Sequence, residues 1–397
     1  MKVLALNCGS SSIKFQVIAG ERHDLRRLAH GTIERLGETA TLSFEAPGHR
    51  PLREKSHIGD HAAGIRRVLE WVEKTVGAPA AVGHRIVHGG PRFTAPTPID
   101  DEVIVAIENL ATLAPLHNAP GLAGVRAARA QLDAPMVACF DTAFHASLPE
   151  RARIYALPHE LAERHGIRRY GFHGLSYRSI VARYAVVTGR PVEGTRLVAL
   201  HLGNGSSATA ILDGRSHDTS MGLTPLEGLV MGTRSGDLDP AIVTHLAQVE
   251  GVSASTVMHW LNERSGLLGL SGLSADVRDL IAAEATDPRA RLALEVFCYR
   301  ARKYVGAYLA ALGGADAVLF TGGIGEHSPE VRARICAGLE WAGLDLDPAR
   351  NAMARGAEWR ITRDGARLAA WVIPTDEERV IAEDTLTCLA GRAGMAR

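Results

Sequence analysis

The sequence predicts an α/β protein built from two domains. Three observations lead there. The chain has 397 residues, too many for one ordinary hydrophobic core. Apolar runs that read as strands alternate with segments whose apolar residues recur at helical spacing. A pattern at the N-terminus also returns about halfway along. Val3-Leu4-Ala5-Leu6 runs into Gly9-Ser10-Ser11-Ser12 and a second strand from Ile13 to Ile18. Leu197-Val198-Ala199-Leu200 runs into Gly203-Asn204-Gly205-Ser206-Ser207, then Ala208 to Leu212, closed by Asp213-Gly214. Both are strand, Gly/Ser turn, strand. A duplicated chain whose halves each open on such a hairpin would show this echo.

The other elements follow in order. His61 to Val76 reads as a helix with Ile65, Val68, Leu69 and Val72 on one face and Gly77 beyond its end. Val82 to Val87 reads as a strand ending at Gly89-Gly90-Pro91, and Met136 to Phe140 as a buried strand ending at Asp141. Leu294, Phe297, Ala301, Tyr304, Val305, Tyr308 and Leu312 form a helical stripe stopped by Gly313-Gly314. Ala317 to Phe320 is a strand feeding Thr321-Gly322-Gly323-Ile324-Gly325-Glu326. Ser328 then caps a helix with Pro329 at its first position. Trp371 to Pro374 is a last strand, leading through Thr375-Asp376-Glu377-Glu378 into a C-terminal helix.

Bulk composition narrows the function. Hydrophobic residues make up 46% and charged residues 22%, as in ordinary globular proteins, and the formal net charge is zero. Nothing supplies the basic excess of a nucleic-acid or membrane surface, so any anion site is local. Cys8, Cys139, Cys298, Cys336 and Cys388 show neither C-x-x-C pairing nor zinc spacing and read as reduced thiols. The start lacks the long apolar core of a secretory leader, and no apolar run approaches the roughly 20 residues of a membrane span. A cytoplasmic protein is expected.

Chemistry concentrates in Gly-rich turns. Three of them follow apolar strands, at Gly9 to Ser12, Gly203 to Gly205 and Gly322 to Gly325. Glycine lets backbone N–H groups close around a phosphate, and the third turn adds a helix N-terminus, which favours an anion. None matches G-x-x-x-x-G-K-[ST], which argues against a P-loop fold, and G-x-G-x-x-G is missing, which argues against a dinucleotide enzyme. Gly83-His84-Arg85, Asp141-Thr142-Ala143-Phe144-His145, Tyr170-Gly171-Phe172-His173-Gly174 and Met231-Gly232-Thr233-Arg234-Ser235-Gly236 add Arg, His and Asp in loops. Phosphoryl transfer explains this mixture better than acyl or hydride transfer. It needs cations, a metal and alignment rather than a protein nucleophile.

These motifs, with His201-Leu202-Gly203-Asn204-Gly205, Met221 to Gly236 and Gly323-Ile324-Gly325-Glu326, resemble the acetate kinase family, in order from Met1 to about Leu389. The resemblance implies the actin/sugar-kinase/Hsp70-like (RNase H-like) fold, with two duplicated α/β domains and a cleft between them. The first would be 1–146, an acid and phosphate domain completed by 378–397. The second would be 147–377, the nucleotide-binding domain. It implies reversible transfer of the ATP γ-phosphate to acetate, giving acetyl phosphate and ADP, with Mg²⁺ (Mn²⁺ as a substitute) and a homodimer. Carried over by residue, Asn7 and Glu377 would help bind the metal. Ser12 and Lys14 would lie at the phosphates. Arg85 and Arg234 would hold the carboxylate and the migrating phosphoryl group, and His173 would stabilise the transition state. Val87, Leu116, Phe172 and Pro225 would form the methyl pocket. His201 to Gly205, Asp276-Val277-Arg278 and Gly322 to Glu326 would hold ATP, with His201 and His117 as positioning groups. Asp141 matches the family's catalytic carboxylate. Acetate is already ionised at pH 7, so no base is needed to create the nucleophile, and Asp141 is read as positioning a group or the metal. Two positions depart from the pattern: Asp376 and His327 stand where Asn is expected. Propionate or butyrate as acceptor stays open, since one methylene shifts discrimination by only about 1–3 kcal/mol. A nucleotide-dependent clamp is the alternative of another class. It would need the turns but not Arg85, Arg234 and His173 together.

Overall fold

The computed structural model describes residues 1–21, 24–110 and 115–395, and the side chains of all of these but 115–117 and 392–395. The chain divides into two compact units: residues 1–144 with everything from 376 onward, and residues 145–375.

The first unit holds an eight-stranded sheet: β1 (Lys2–Cys8), β2 (Ser12–Glu21), β3 (Asp24–Glu34), β4 (Thr39–Glu45), β5 (Leu52–His57), β6 (Ala81–Ile86), β7 (Thr97–Pro98) and β8 (Met136–Phe140), in the order β5-β4-β3-β2-β1-β6-β8-β7. From β5 to β1 the strands form an antiparallel meander; β6 pairs parallel to β1, and β8 parallel to β6. β8 is buried along its whole length, as a parallel strand covered on both faces must be. The helix His61–Val76 starts where the Asp60 carboxylate accepts the Ala63 N–H at 2.8 Å, and it buries Ile65, Val68, Leu69 and Val72. The C-terminal helix, Glu377–Met395, lies against β6. Gly83 permits this approach: a Cβ there would sit 2.3 Å from Thr385 Oγ1 and 2.5 Å from Ile381 Cγ2.

The second unit holds β9 (Arg196–His201), β10 (Ser207–Leu212), β11 (Arg215–Thr219), β12 (Ala317–Thr321), β13 (Trp359–Arg360) and β14 (Ala369–Val372), in the order β11-β10-β9-β12-β14-β13. β9, β10 and β11 are antiparallel, and β12 runs parallel to both β9 and β14. The five strands β11-β10-β9-β12-β14 therefore repeat β3-β2-β1-β6-β8 in order and direction. The sequence echo is the first hairpin of each copy. The helix Pro288–Leu312 covers this sheet with the expected stripe and ends at Gly313 in the left-handed region, φ 66°.

Two elements differ from expectation. The last strand is Ala369–Val372, not Trp371 to Pro374; proline has no N–H to give a ladder. Gly322–His327 is itself a short helix rather than an open turn, and Ser328 separates it from the helix Pro329–Cys336. Among the described residues no helix is long and apolar enough to cross a membrane.

Candidate functional site

In the first unit, β1, β6 and β8 carry polar residues at their C-terminal ends, where the C-terminal helix begins. Arg85 on β6 donates from Nε and Nη2 to the two oxygens of Asp141 at 3.0 and 2.6 Å, a bidentate fork. Its Nη1 donates to Asn7 Oδ1 at 3.0 Å. Asn7 Nδ2 in turn donates to Glu377 Oε2 at 2.9 Å and Glu378 Oε1 at 3.0 Å. Asp141 is fully buried. Burial works against the Arg85 charge, but Asp141, Glu377 and Glu378 outweigh it, and its pKa is raised. Burial, then repulsion from Glu377, raises the pKa of Glu378. Two carboxylates gathered on one amide in a buried place suit a hard dication. Among the described residues no three His, Cys, Asp or Glu side chains form a metal cage by themselves. Mg²⁺ does not need one, because it keeps waters and takes one or two carboxylates together with substrate phosphates.

The first turn lies beside this cluster. Gly9 N–H donates to the Ser12 carbonyl at 2.8 Å, and His61 Nε2 lies 2.7 Å from the Gly9 carbonyl oxygen. Ser12 opens β2. Lys14 pairs with Asn7 across the hairpin, and its charge reaches Glu378. Val87 stands one residue past β6 and is half-buried. The side chains of Leu116 and His117 lie outside those described.

In the second unit the expected residues form two connected groups. His173 has φ 58°, a left-handed conformation uncommon for a side chain of this kind. Gly171 beside it has φ 75°, and a Cβ there would meet His145 Cγ at 2.5 Å. His145 Nε2 bonds the Phe172 carbonyl at 2.9 Å and its Nδ1 bonds Ser216 Oγ at 2.8 Å, which fixes the loop from beneath. Ser207 Oγ holds His173 Nδ1 at 2.9 Å and also meets the Tyr177 hydroxyl at 2.5 Å. The His201 ring stacks on His173 at 4.1 Å. Arg234 Nη1 donates to the Pro225 carbonyl at 3.2 Å, and burial lowers the Arg234 pKa. Phe172 and Pro225 are both buried. A Cβ built on Gly205 would meet Arg234 Nη1 at 3.5 Å and His173 Nε2 at 3.7 Å, so guanidinium and imidazole converge over this glycine.

The other side of the same turn faces a cavity of about 890 Å³. Gly203, Asn204, Asp276, Val277, Arg278, Gly323 and Ile324 line it, all expected at the nucleotide. The turn and the short helix are tied together. Leu202 N–H donates to the Thr321 carbonyl at 2.8 Å, and Ile324 N–H donates to the Leu202 carbonyl at 2.9 Å. Gly322, at φ 75°, must be glycine, since a Cβ would come within 2.6 Å of the Leu202 carbonyl oxygen.

Three expected nucleotide residues hold the walls instead. The Leu202 side chain is fully buried in the core, so only its backbone takes part. The Glu326 carboxylate accepts the Gly322 N–H at 3.0 Å, the Thr321 hydroxyl at 3.2 Å and the Thr375 N–H at 3.2 Å. It caps the short helix and is not among the residues lining the cavity. Gly325 is not among them either; its carbonyl accepts from Arg332 at 2.8 Å.

Sequence reasoning missed several residues. Glu378 joins Asn7 although only Glu377 was expected to; the doubled acid at a helix start was the available signal. Ile281, Ser328, Glu330 and Arg355 also line the cavity, together with His327, the position that departs from the family pattern.

The Acetokinase family model matches residues 2–383. The acetate kinase of Solibacter usitatus is 52% identical over 409 aligned positions, covering 98% of this chain and 99% of the relative. Among solved structures, Porphyromonas gingivalis acetate kinase matches at TM-score 0.87 and 41% identity, covering 98% of this chain and 99% of that one. A propionate kinase from Francisella tularensis matches at TM-score 0.89 and 36% identity, covering 97% and 99%.

Proposed function

The chain belongs to the acetokinase family, and on that premise we propose that it transfers the γ-phosphate of ATP reversibly to acetate, giving acetyl phosphate and ADP. One observation carries the reading furthest. A single Gly-rich turn has a nucleotide-sized cavity on one side and the Arg234–His173 pair over Gly205 on the other. A nucleotide whose phosphates follow that turn would present its terminal phosphate to the two cationic or donor groups.

Each group then has a task. The acid is ionised, so its carboxylate oxygen attacks phosphorus directly and ADP leaves. The obstacle is bringing two anions together. At an effective dielectric of about 20, unit charges about 4 Å apart repel by about 4 kcal/mol. Arg234 cancels charge on the migrating phosphoryl group, and Arg85 holds the carboxylate. Asp141 fixes the Arg85 fork through two hydrogen bonds. It is a positioning residue here, not a base. Ser207 orients the His173 ring toward the Gly205 side, from which it would donate to the phosphoryl oxygens. Asn7 and Glu377, with Glu378 beside them, would hold Mg²⁺, which when bound neutralises phosphate charge. Homodimer assembly and a cytoplasmic location belong to the same reading.

Acetate is read as the acceptor because the curated relatives at 44–52% identity are named acetate kinase. The test is incubation with ATP, Mg²⁺ and acetate, propionate or butyrate, with acyl phosphate trapped by hydroxylamine. Trapped product with acetate at the highest specificity is expected. No product with any acid overturns the kinase reading; a higher specificity for propionate overturns the substrate alone.

A further inference from the structure

Arg332 is fully buried in the second unit, yet every partner it has is neutral. Its Nε donates to Asn351 Oδ1 at 2.8 Å, Nη1 to the Gly325 carbonyl at 2.8 Å, and Nη2 to the carbonyls of Asn351 and Ala354, both at 2.7 Å. Among the described residues no carboxylate comes within ion-pair distance. Glu330, two residues away, favours its charge at longer range and Arg355 opposes it. Burying a cation with no counter-ion is unfavourable, and burial lowers the Arg332 pKa to about 10, so the charge persists at neutral pH.

Its hydrogen bonds all lead to the walls of the nucleotide cavity. Gly325 belongs to the short helix whose Ile324 lines the cavity. Ala354 precedes the lining residue Arg355. Asn351 Nδ2 donates to the carbonyl of Pro329, next to lining Ser328, at 2.8 Å. Gly325 N–H in turn donates to the Leu202 carbonyl at 3.3 Å, one residue before the Gly203 to Gly205 turn. One side chain thus fixes three segments of one wall and places a positive charge beneath it.

We propose that Arg332 is a positioning residue for nucleotide binding whose missing counter-ion is the polyphosphate itself: the chain leaves this buried guanidinium without an acid partner so that an anionic nucleotide completes the balance. The inference rests on reading the cavity as the nucleotide site. An asparagine at 351 rather than an aspartate is the feature it bears on, since aspartate would neutralise the guanidinium while still accepting from its Nε.

The test is Asn351→Asp. The substitution gives Arg332 a buried ion pair at the cost of the amide's hydrogen bond to the Pro329 carbonyl. Under the proposal, affinity for ADP and ATP falls about tenfold or more, because the charge felt by the phosphates is cancelled. Affinity for adenosine, which lacks phosphates, stays unchanged. Calorimetric titration of the whole protein with ADP, ATP and adenosine reads all three. Wild-type protein that binds no ADP overturns the reading of the cavity. Wild-type binding with unchanged ADP affinity in Asn351→Asp, or an equal loss for adenosine, overturns the role of the charge. Arg332→Gln gives the same answer by another route. It loses ADP affinity and keeps adenosine affinity if charge is what matters; equal losses for ADP and adenosine overturn it.

Discussion

Mild acid should destabilise this protein through two buried histidines, one in each unit. His84 on β6 is buried, and its Nε2 has no hydrogen-bond partner among the described residues. Burial lowers its pKa from 6.5 to about 3. His145 is buried beneath the His173 loop. Burial lowers its pKa to about 4, although its hydrogen bond to the Phe172 carbonyl favours the charged form. Each is a base that the unfolded chain protonates near pH 6.5 and the folded chain does not. Between those pKa values the unfolded state binds more protons, so stability is complete above about pH 6.5 and is lost as pH falls toward 3–4. From about pH 7.5 to about pH 5, each histidine removes about 2 kcal/mol, roughly 4 kcal/mol together. Urea unfolding of the whole chain, followed by far-ultraviolet circular dichroism at those two pH values, measures the loss. His84→Leu keeps the site apolar and removes the proton acceptor. Its stability should fall by about 2 kcal/mol less than wild type over the same interval. Identical pH slopes in the two proteins would refute the reasoning, because every other titrating group is shared between them.

Two further predictions concern the transfer step. Arg234→Ala should cut turnover at least about 10²-fold, as loss of a preorganised charge at the transferred group does; a raised KM for acetate with normal kcat would contradict its role. Asp141→Asn should destabilise the fold by about 3–5 kcal/mol, since it breaks a buried pair, and should lower kcat/KM by a factor that stays constant from about pH 6 to about pH 9. Rescue of Asp141→Asn by added small carboxylates, rising with their basicity, would show instead that Asp141 takes a proton.

Much of the site was legible because its residues stand at strand ends. Asn7 and Asp141 each follow an apolar run, and Arg85 stands between two histidines beside a glycine pair. Gly322 has a physical need for its residue type: a positive φ and a carbonyl oxygen close enough to exclude a Cβ. What was missed fails a local criterion. β3, β4 and β5 were not read as strands because alternate side chains, such as Arg53 and Lys55, point to solvent and interrupt the apolar pattern. Arg332 looked like any surface arginine on a helix. Its partner Asn351 lies 19 residues away and donates and accepts as an amide, without a charge that spacing could reveal. Glu326 was assigned to the nucleotide by resemblance to the family motif, whereas the fold turns it back to cap its own helix.

The contact between Asn7 and Glu377 spans 370 positions of chain, and that separation matters on the ribosome. The first unit is made first but contains the last helix. At synthesis rates of about 5–20 residues per second, β1 and β6 wait roughly 20–75 s for the segment that covers them. During that interval the face prepared by Gly83 is open, and Asn7 has no acid to hold. The second unit, continuous from 145 to 375, has no such delay. The carboxylates that complete the candidate metal site are made some 370 residues after Asn7. Truncation of the final helix would leave the second unit folded and the first exposed to chaperones and proteases.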